Sequence, residues 1–150
     1  MLAQVQDREL TVKHIYFETL EQAPHLSAFS LDKVIEQLAF NEKGLIPVIT
    51  QDAETKDVLM FAWMNKTALE KTLSTKRVTY WSRSREQLWV KGETSGHTQA
   101  LVSMAFDCDG DTVLCQVIQS GAACHTGRPN CFYLNVDAER RQVLISGDAP

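Results

Sequence analysis

Short apolar runs, separated by turn-forming residues, fill the chain from Leu45 onward. The runs are rich in β-branched and aromatic residues, which is typical of β-strands. We predict eight strands, over Leu45–Thr50, Val58–Met64, Val78–Ser82, Gln87–Lys91, Gln99–Phe106, Thr112–Gln119, Cys131–Val136 and Gln142–Ser146. The chain is therefore expected to be dominated by sheet.

Two segments have the period of an amphipathic helix instead. Ser30 can cap a short helix over Leu31–Phe40, and Asn65 can cap a second one. The apolar faces of these helices are Leu31, Val34, Ile35 and Leu38 in the first, and Ala68, Leu69, Thr72 and Leu73 in the second. Since strands and helices do not alternate regularly, the pattern predicts an α+β fold with a mostly antiparallel, roll- or barrel-like sheet and disfavours a doubly wound fold.

The length of 150 residues, with 44% hydrophobic and 23% charged residues, fits one globular unit. We divide it into an N-terminal extension with a short helix, residues 1–40, and a main domain, residues 41–150. The net charge of −4 argues against a nucleic-acid-binding or membrane-binding protein. The chain has no apolar run of about 18 residues and no signal-peptide pattern, so we expect it to be cytoplasmic.

Three carboxylates alternate in the segment Asp107-Cys108-Asp109-Gly110-Asp111. If this segment continues the preceding strand, the carboxylates project from one face and Cys108 from the other. Oxygen ligands of this kind suit Mg²⁺ or Ca²⁺. The spacing excludes an EF-hand, because Thr112 and Ile118 stand where that loop needs glycine and glutamate. A solvated acidic turn remains the alternative.

All four cysteines (Cys108, Cys115, Cys124 and Cys131) fall within 24 residues. In a reducing compartment such clustering favours a metal site over disulfides. Thiolates from Cys108, Cys124 and Cys131 would hold zinc and leave its fourth position for water, as in catalytic sites, whereas Cys115 lies mid-strand and is expected to pack in the core. The alternative is a set of unrelated buried cysteines.

The segment from Lys76 to Lys91 carries five cations and one carboxylate, a local charge of +4 in an acidic chain. Strand alternation would place Trp81, Arg83 and Arg85 on one face, which combines an aromatic platform with guanidinium groups suited to phosphate. Solvated strand cations are the alternative. A polar loop with one acid and one imidazole follows, Gly92-Glu93-Thr94-Ser95-Gly96-His97.

Taken together, these motifs resemble the phosphoribosyl-AMP cyclohydrolases, zinc- and magnesium-dependent enzymes of histidine biosynthesis. The resemblance runs from about Gly44 to about Phe132. It rests on seven blocks in order: Gly44-Leu45-Ile46-Pro47, Val58-Leu59-Met60, Ala62-Trp63-Met64-Asn65, Tyr80-Trp81-Ser82-Arg83-Ser84-Arg85, Lys91-Gly92-Glu93-Thr94-Ser95-Gly96-His97, Asp107-Cys108-Asp109-Gly110-Asp111 and Cys124-His125-Thr126-Gly127.

The resemblance implies a role for each group of candidate residues. It assigns Asp107, Asp109 and Asp111 to Mg²⁺ and Cys108, Cys124 and Cys131 to Zn²⁺. It also implies a homodimer whose metal sites form between subunits. The candidate catalytic residues are His125 and His97, and the candidate substrate-binding residues are Trp81, Arg83, Ser84, Arg85, Lys91, Glu93 and Ser95.

The implied reaction is hydrolysis of the adenine ring of 1-(5-phosphoribosyl)-AMP at the N1–C6 bond, giving a formimino carboxamide ribonucleotide in the third step of histidine biosynthesis. Zinc-activated water would attack C6, with His125 as an acid–base group. Many relatives carry a fused pyrophosphohydrolase, and we expect this chain to perform the ring opening alone.

Two alternatives come from other classes of protein. A zinc-dependent nucleoside or nucleobase deaminase would also attack a ring carbon with zinc-activated water, but the sequence lacks the His-x-Glu and Pro-Cys-x-x-Cys motifs of that class. A non-catalytic zinc-binding module would have a closed fourth ligand and no hydrolytic activity.

Overall fold

A mixed four-stranded sheet forms the centre of the fold in the computed structural model, which describes residues 15–149. The first fourteen residues of the predicted extension and Pro150 lie outside the described residues. The strands are β1 (Ile46–Asp52), β2 (Val58–Met64), β3 (Thr79–Ser82), β4 (Gln87–Val90), β5 (Gln99–Phe106), β6 (Val113–Gln119), β7 (Leu134–Asp137) and β8 (Gln142–Ile145).

The central sheet has the order β2-β1-β6-β5, and the other strands form two hairpins, β3-β4 and β7-β8. All described strand pairs are antiparallel except β1-β6, which is parallel. The expected α+β class and the predominance of antiparallel pairing are confirmed. Each strand lies within three residues of its predicted bounds, and the largest difference is the start of β7, predicted at Cys131 and observed at Leu134.

Two helices occupy the predicted positions, α1 (Leu31–Gln37) and α2 (Lys66–Thr75). The Ser30 and Asn65 side chains accept hydrogen bonds from the backbone of the first turns, as N-caps do. The predicted end of α1 at Phe40 is wrong, because the backbone becomes extended at Leu38. The next amide, of Ala39, donates to the carbonyl of Gly110 instead of to a helix carbonyl.

The core lies between the central sheet, α1, α2 and the β3-β4 hairpin. Its largest fully buried side chains include Tyr80, Leu38, Ile46, Met64 and Leu69. Cys115 also lies in this core, fully buried on β6, which confirms its expected packing role. Among residues 15–149, no helix is both long enough and apolar enough to cross a membrane.

Candidate active site

A cavity of about 560 Å³ lies beside β4, between the loop of residues 92–97 and the loop that follows β6. We call it the main cavity. It brings together seven of the candidate residues from three separate sequence blocks. These are Arg85, Lys91, Glu93, Ser95, His97, Cys124 and His125. Both candidate catalytic histidines therefore face the same space as one of the candidate zinc ligands.

Two glycines hold His97 at the wall of this cavity. A Cβ on Gly92 would lie 2.3 Å from the carbonyl carbon of His97, and a Cβ on Gly121 would lie 2.5 Å from its Cδ2. Both glycines have positive φ. The loop can close and the imidazole can lie on the β6 loop only because these two positions carry no side chain.

A chain of buried hydrogen bonds leads from the core to the backbone of His97. The Tyr80 hydroxyl lies 2.6 Å from Thr50 Oγ1 and donates to Gln99 Oε1 at 2.6 Å. Gln99 Nε2 donates to Gln119 Oε1, and Gln119 Nε2 donates to the His97 carbonyl at 3.3 Å. Burial raises the pKa of Tyr80, so its phenol stays protonated and acts as a donor.

The thiols of Cys124 and Cys131 are neighbours across a tight loop, closed by the Cys124 amide donating to the Arg128 carbonyl. Burial opposes ionisation of Cys124, but hydrogen bonds from Thr126 and Cys131 and the charge of Arg128 outweigh it and lower the pKa of this thiol. Burial and the neighbouring Cys124 raise the pKa of Cys131 to about 11. The pair therefore offers one thiol with a lowered pKa and a second thiol beside it.

Cys108 lies at the other end of the β5-β6 hairpin. It sits in the turn before β6, whereas Cys124 comes five residues after β6 ends. The paired strands run from Phe106 opposite Val113 to Gln99 opposite Gln119, which is about 20 Å at ~3.3 Å per residue. Within the described part of one chain, no three Cys, His, Asp or Glu side chains converge on a point that could hold a metal ion.

The predicted single face of carboxylates requires the acidic segment to continue β5. In the structure the segment does not continue this strand. The chain turns after Phe106, with Gly110 at φ +65°, and Asp107 Oδ1 accepts hydrogen bonds from the amides of Asp111 and Thr112. The Asp107 carboxylate therefore closes the turn, a local bond typical of aspartate. The expected single face with three carboxylates is wrong, although two of the carboxyls still meet.

Asp107 and Asp111 influence one another's ionisation. Burial opposes ionisation of Asp107, but hydrogen bonds from the Asp111 side chain and from three backbone amides outweigh it and lower the pKa of Asp107. The hydrogen bond with Asp107, then burial, then repulsion by Asp107 and Asp109 raise the pKa of Asp111. The ionisation of one carboxyl thus opposes that of the other, and a divalent cation bound between them would relieve this repulsion.

The N-terminal segment packs directly on this turn. The ring of Phe17 is buried against Gly110, where a Cβ would lie 2.2 Å from ring carbons. The Phe17 ring also lines a hollow with Asp107 and Cys108. Residues of the extension therefore fix the conformation of the acidic turn.

Trp81, Arg83 and Ser84 line a second groove, separate from the main cavity. The predicted single face of Trp81, Arg83 and Arg85 is wrong, because β3 ends at Ser82 and both arginines lie in the hairpin turn. Arg83 stacks over Trp63, 5.0 Å from the ring centroid, and Arg85 borders the main cavity. The β3-β4 hairpin therefore presents one arginine to each site.

Sequence reasoning did not single out several residues that shape the site. Gln99 and Gln119 resemble ordinary strand residues in the sequence, which shows neither the full burial of Gln99 nor the hydrogen bond between the two side chains. Trp63 belongs to one of the matching motifs but has no role assigned by it. Phe17 lies in a segment whose apolar residues show no clear helical or strand period. The glycines at positions 92, 110 and 121 are the signal that the sequence does offer, because glycines between strand-like segments mark turns.

Comparison with known proteins gives a consistent family. The family model described as phosphoribosyl-AMP cyclohydrolase matches residues 60–133. A phosphoribosyl-AMP cyclohydrolase of Roseobacter denitrificans is 58% identical over 111 residues, which is 74% of this chain and 87% of that protein. The phosphoribosyl-AMP cyclohydrolase of Hydrogenovibrio crunogenus is 47% identical over 134 residues, which is 89% of this chain and 91% of that protein. A third phosphoribosyl-AMP cyclohydrolase, from Alkalilimnicola ehrlichii, is 50% identical over 130 residues, which is 87% of this chain and 92% of that protein. This chain therefore belongs to the phosphoribosyl-AMP cyclohydrolase family, whose members are hydrolases of histidine biosynthesis.

Proposed function

We propose that the protein hydrolyses the N1–C6 bond of the adenine ring of 1-(5-phosphoribosyl)-AMP in the main cavity, with zinc-activated water. The observation that carries this proposal is the convergence of His97, His125, Lys91 and Cys124 from separate sequence blocks on one cavity. Water adds at C6, the C6–N1 bond breaks and N1 takes up a proton, so the product is the formimino carboxamide ribonucleotide.

The donor set beside the cavity fits zinc. Cys124 and Cys131 are two adjacent thiols, one with a lowered pKa, and thiolates are preferred zinc ligands. When bound, zinc supplies a water acidic enough to be a nucleophile near neutral pH. Thr126 Oγ1 donates to Cys124 Sγ at 3.1 Å, which orients this ligand.

The third proposed thiolate, Cys108, comes from a second copy of the chain. Because Cys108 and the Cys124–Cys131 pair lie at opposite ends of a hairpin about 20 Å long, one chain cannot bring them together without unfolding it. A two-fold dimer solves this, since each copy can give Cys108 to its partner's cysteine pair. Two equivalent sites then form between the subunits.

The β7-β8 hairpin supports the dimer. Its register places Leu134 opposite Ile145 and Val136 opposite Val143, so these four side chains share one face. They are 55–76% exposed. A two-stranded hairpin is marginally stable alone, and an uncovered apolar face is typical of an interface. The hairpin follows Cys131 directly, so a second copy packed on it lies next to the proposed zinc site.

Charged groups at both ends of the β3-β4 turn suit a substrate with two phosphates. Arg85 in the main cavity and Arg83 over Trp63 can each bind one phosphate, and Trp81 lines the groove beside Arg83. The Asp107–Asp111 pair, with Asp109, is the proposed magnesium site. Mg²⁺, when bound there, supplies positive charge for substrate phosphate.

His125 is the proposed acid–base group, and His97 is its neighbour in the cavity. His125 is exposed at the end of the cysteine loop, so it can exchange protons with solvent. His97 is fixed by Gly121 and by its bonded carbonyl. A fixed imidazole in the cavity can orient the substrate, and the exposed one can transfer a proton.

The test of the activity is incubation of the purified protein with phosphoribosyl-AMP, Zn²⁺ and Mg²⁺ while the ultraviolet spectrum is recorded. Opening of the purine changes its absorption, and mass spectrometry of the product should show the addition of one water. A folded, metal-loaded protein that leaves the spectrum unchanged would contradict the proposal. Release of ammonia would indicate the deaminase alternative instead.

A further inference from the structure

Lys91 is a buried cation at the end of β4. The residue is 9% exposed, and its Nζ donates to the Ala123 carbonyl at 2.6 Å. Its amide donates to the Val78 carbonyl, and its ammonium lies 5.2 Å from the centre of the Trp89 ring. Both ends of the residue are therefore fixed by the protein, so the side chain is held in place.

The charge of Lys91 has no carboxylate partner in residues 15–149, where the one ion pair joins Arg140 and Asp137. A buried charge is costly unless an opposite charge lies nearby. Burial lowers the pKa of Lys91, whereas attraction to Cys131 and Cys124 opposes that shift. Among residues 15–149, the anionic groups whose attraction favours this ammonium are the two proposed zinc ligands.

We infer that Lys91 is a positioning residue of the cysteine site: its ammonium holds the Ala123 carbonyl next to Cys124 and compensates the negative charge of the thiolates. This inference rests on the proposed function and is additional to the substrate-binding role that the resemblance implied. Three thiolates around a divalent ion carry a net charge of −1, which one buried cation neutralises. The Ala123 carbonyl belongs to the planar peptide unit that includes the Cys124 nitrogen, so displacing this carbonyl would move Cys124 with it.

The test is zinc affinity at one pH, measured by competition with a chromogenic chelator in the dimeric protein. Lys91→Met should weaken zinc binding at least about tenfold, equivalent to 1.4 kcal/mol, because the charge is removed at nearly constant volume. Lys91→Arg should stay within about threefold of wild type, since it retains the charge. Lys71→Met, which removes an exposed cation from α2, is the matched control and should bind normally.

Cobalt substitution adds a direct spectroscopic readout of the thiolate ligands, besides zinc affinity. The thiolate-to-metal charge-transfer absorption should be present in wild type and Lys91→Arg and altered in Lys91→Met. Circular dichroism establishes folding, and if Lys91→Met does not fold, Lys91→Gln gives the same comparison with a donor for Ala123 retained.

Normal zinc affinity in folded Lys91→Met or Lys91→Gln would overturn the inference, as would equal weakening in Lys91→Arg. A wild-type protein that binds no zinc would refute the metal site and this inference together. Normal wild-type binding with an unaffected neutral variant would refute only the role of Lys91.

Discussion

Gly110 is the residue on which the acidic turn depends. Its φ of +65° favours glycine, and the Phe17 ring occupies the space that a Cβ would need. Gly44 has a similar φ of +73° with no atom within 4 Å of a Cβ. A comparison of alanine variants at the two positions therefore separates the energetic cost of backbone strain from the cost of displacing Phe17.

We predict that Gly110→Ala lowers the free energy of unfolding by more than about 2 kcal/mol, because strain and collision add. Gly44→Ala should cost about 1 kcal/mol from strain alone. Urea denaturation at one protein concentration measures both. An equal loss of unfolding free energy in the two variants would show that the Phe17 contact does not contribute to stability.

Thiol reactivity should follow the environments of the cysteines. Burial raises the pKa of Cys115 to about 12, whereas hydrogen bonding lowers that of Cys124. Since the thiolate is the nucleophile, iodoacetamide at pH 8 should alkylate Cys124 in the metal-free protein and leave Cys115 unmodified. Peptide mass spectrometry locates the label, and modification of Cys115 in folded protein would contradict the core assignment.

His125→Ala should lower kcat by about 10²–10⁴-fold, the usual effect of losing an acid–base group. Because the side chain is exposed and does not contribute to the cysteine pair, zinc content and KM should change little. His25→Ala, at an exposed position outside the cavity, is the control. An unchanged turnover number would remove His125 from the mechanism.

At the element scale, the β7-β8 hairpin leaves an apolar face exposed in the single chain. Val143 and Gln142 are neighbours on β8 and point to opposite faces. We predict that Val143→Lys weakens dimerisation by at least about tenfold, because a charge enters the apolar face. Gln142→Lys adds the same charge to the other face and should leave the dimer intact.

Sedimentation velocity over a concentration series gives the dimer dissociation constant of each variant. Zinc affinity should fall together with dimerisation in Val143→Lys. If Val143→Lys has the same dimer dissociation constant as the wild type, another surface joins the subunits.

Strands and helices were predictable because each follows from local pattern. The caps at Ser30 and Asn65 and the strand β2, Val58–Met64, were predicted without error. The turns were not predictable, because their geometry depends on distant partners. Phe17 packs on Gly110 and Ala39 bonds to its carbonyl, so the acidic segment leaves the strand that alternation alone would have continued.

On the scale of the whole molecule, the sequence names candidate site residues but not where each lies. The structure brings His97, His125 and Cys124 to one cavity. Cys108 lies a hairpin's length away, and no local pattern encodes that distance. Nor can a single sequence tell whether two motifs meet within one chain or across a subunit boundary.

We propose that each ring-opening site is built from two chains. Cys108→Ala and Cys124→Ala should each be inactive alone, because each lacks one ligand in both sites. A mixed dimer of the two variants has one site with both defects and one site with neither. Since half the dimers in an equal mixture are mixed, activity on phosphoribosyl-AMP after subunit exchange should recover to about one quarter of wild type. No recovery in a mixture whose mixed dimers are verified by native mass spectrometry would contradict the shared site.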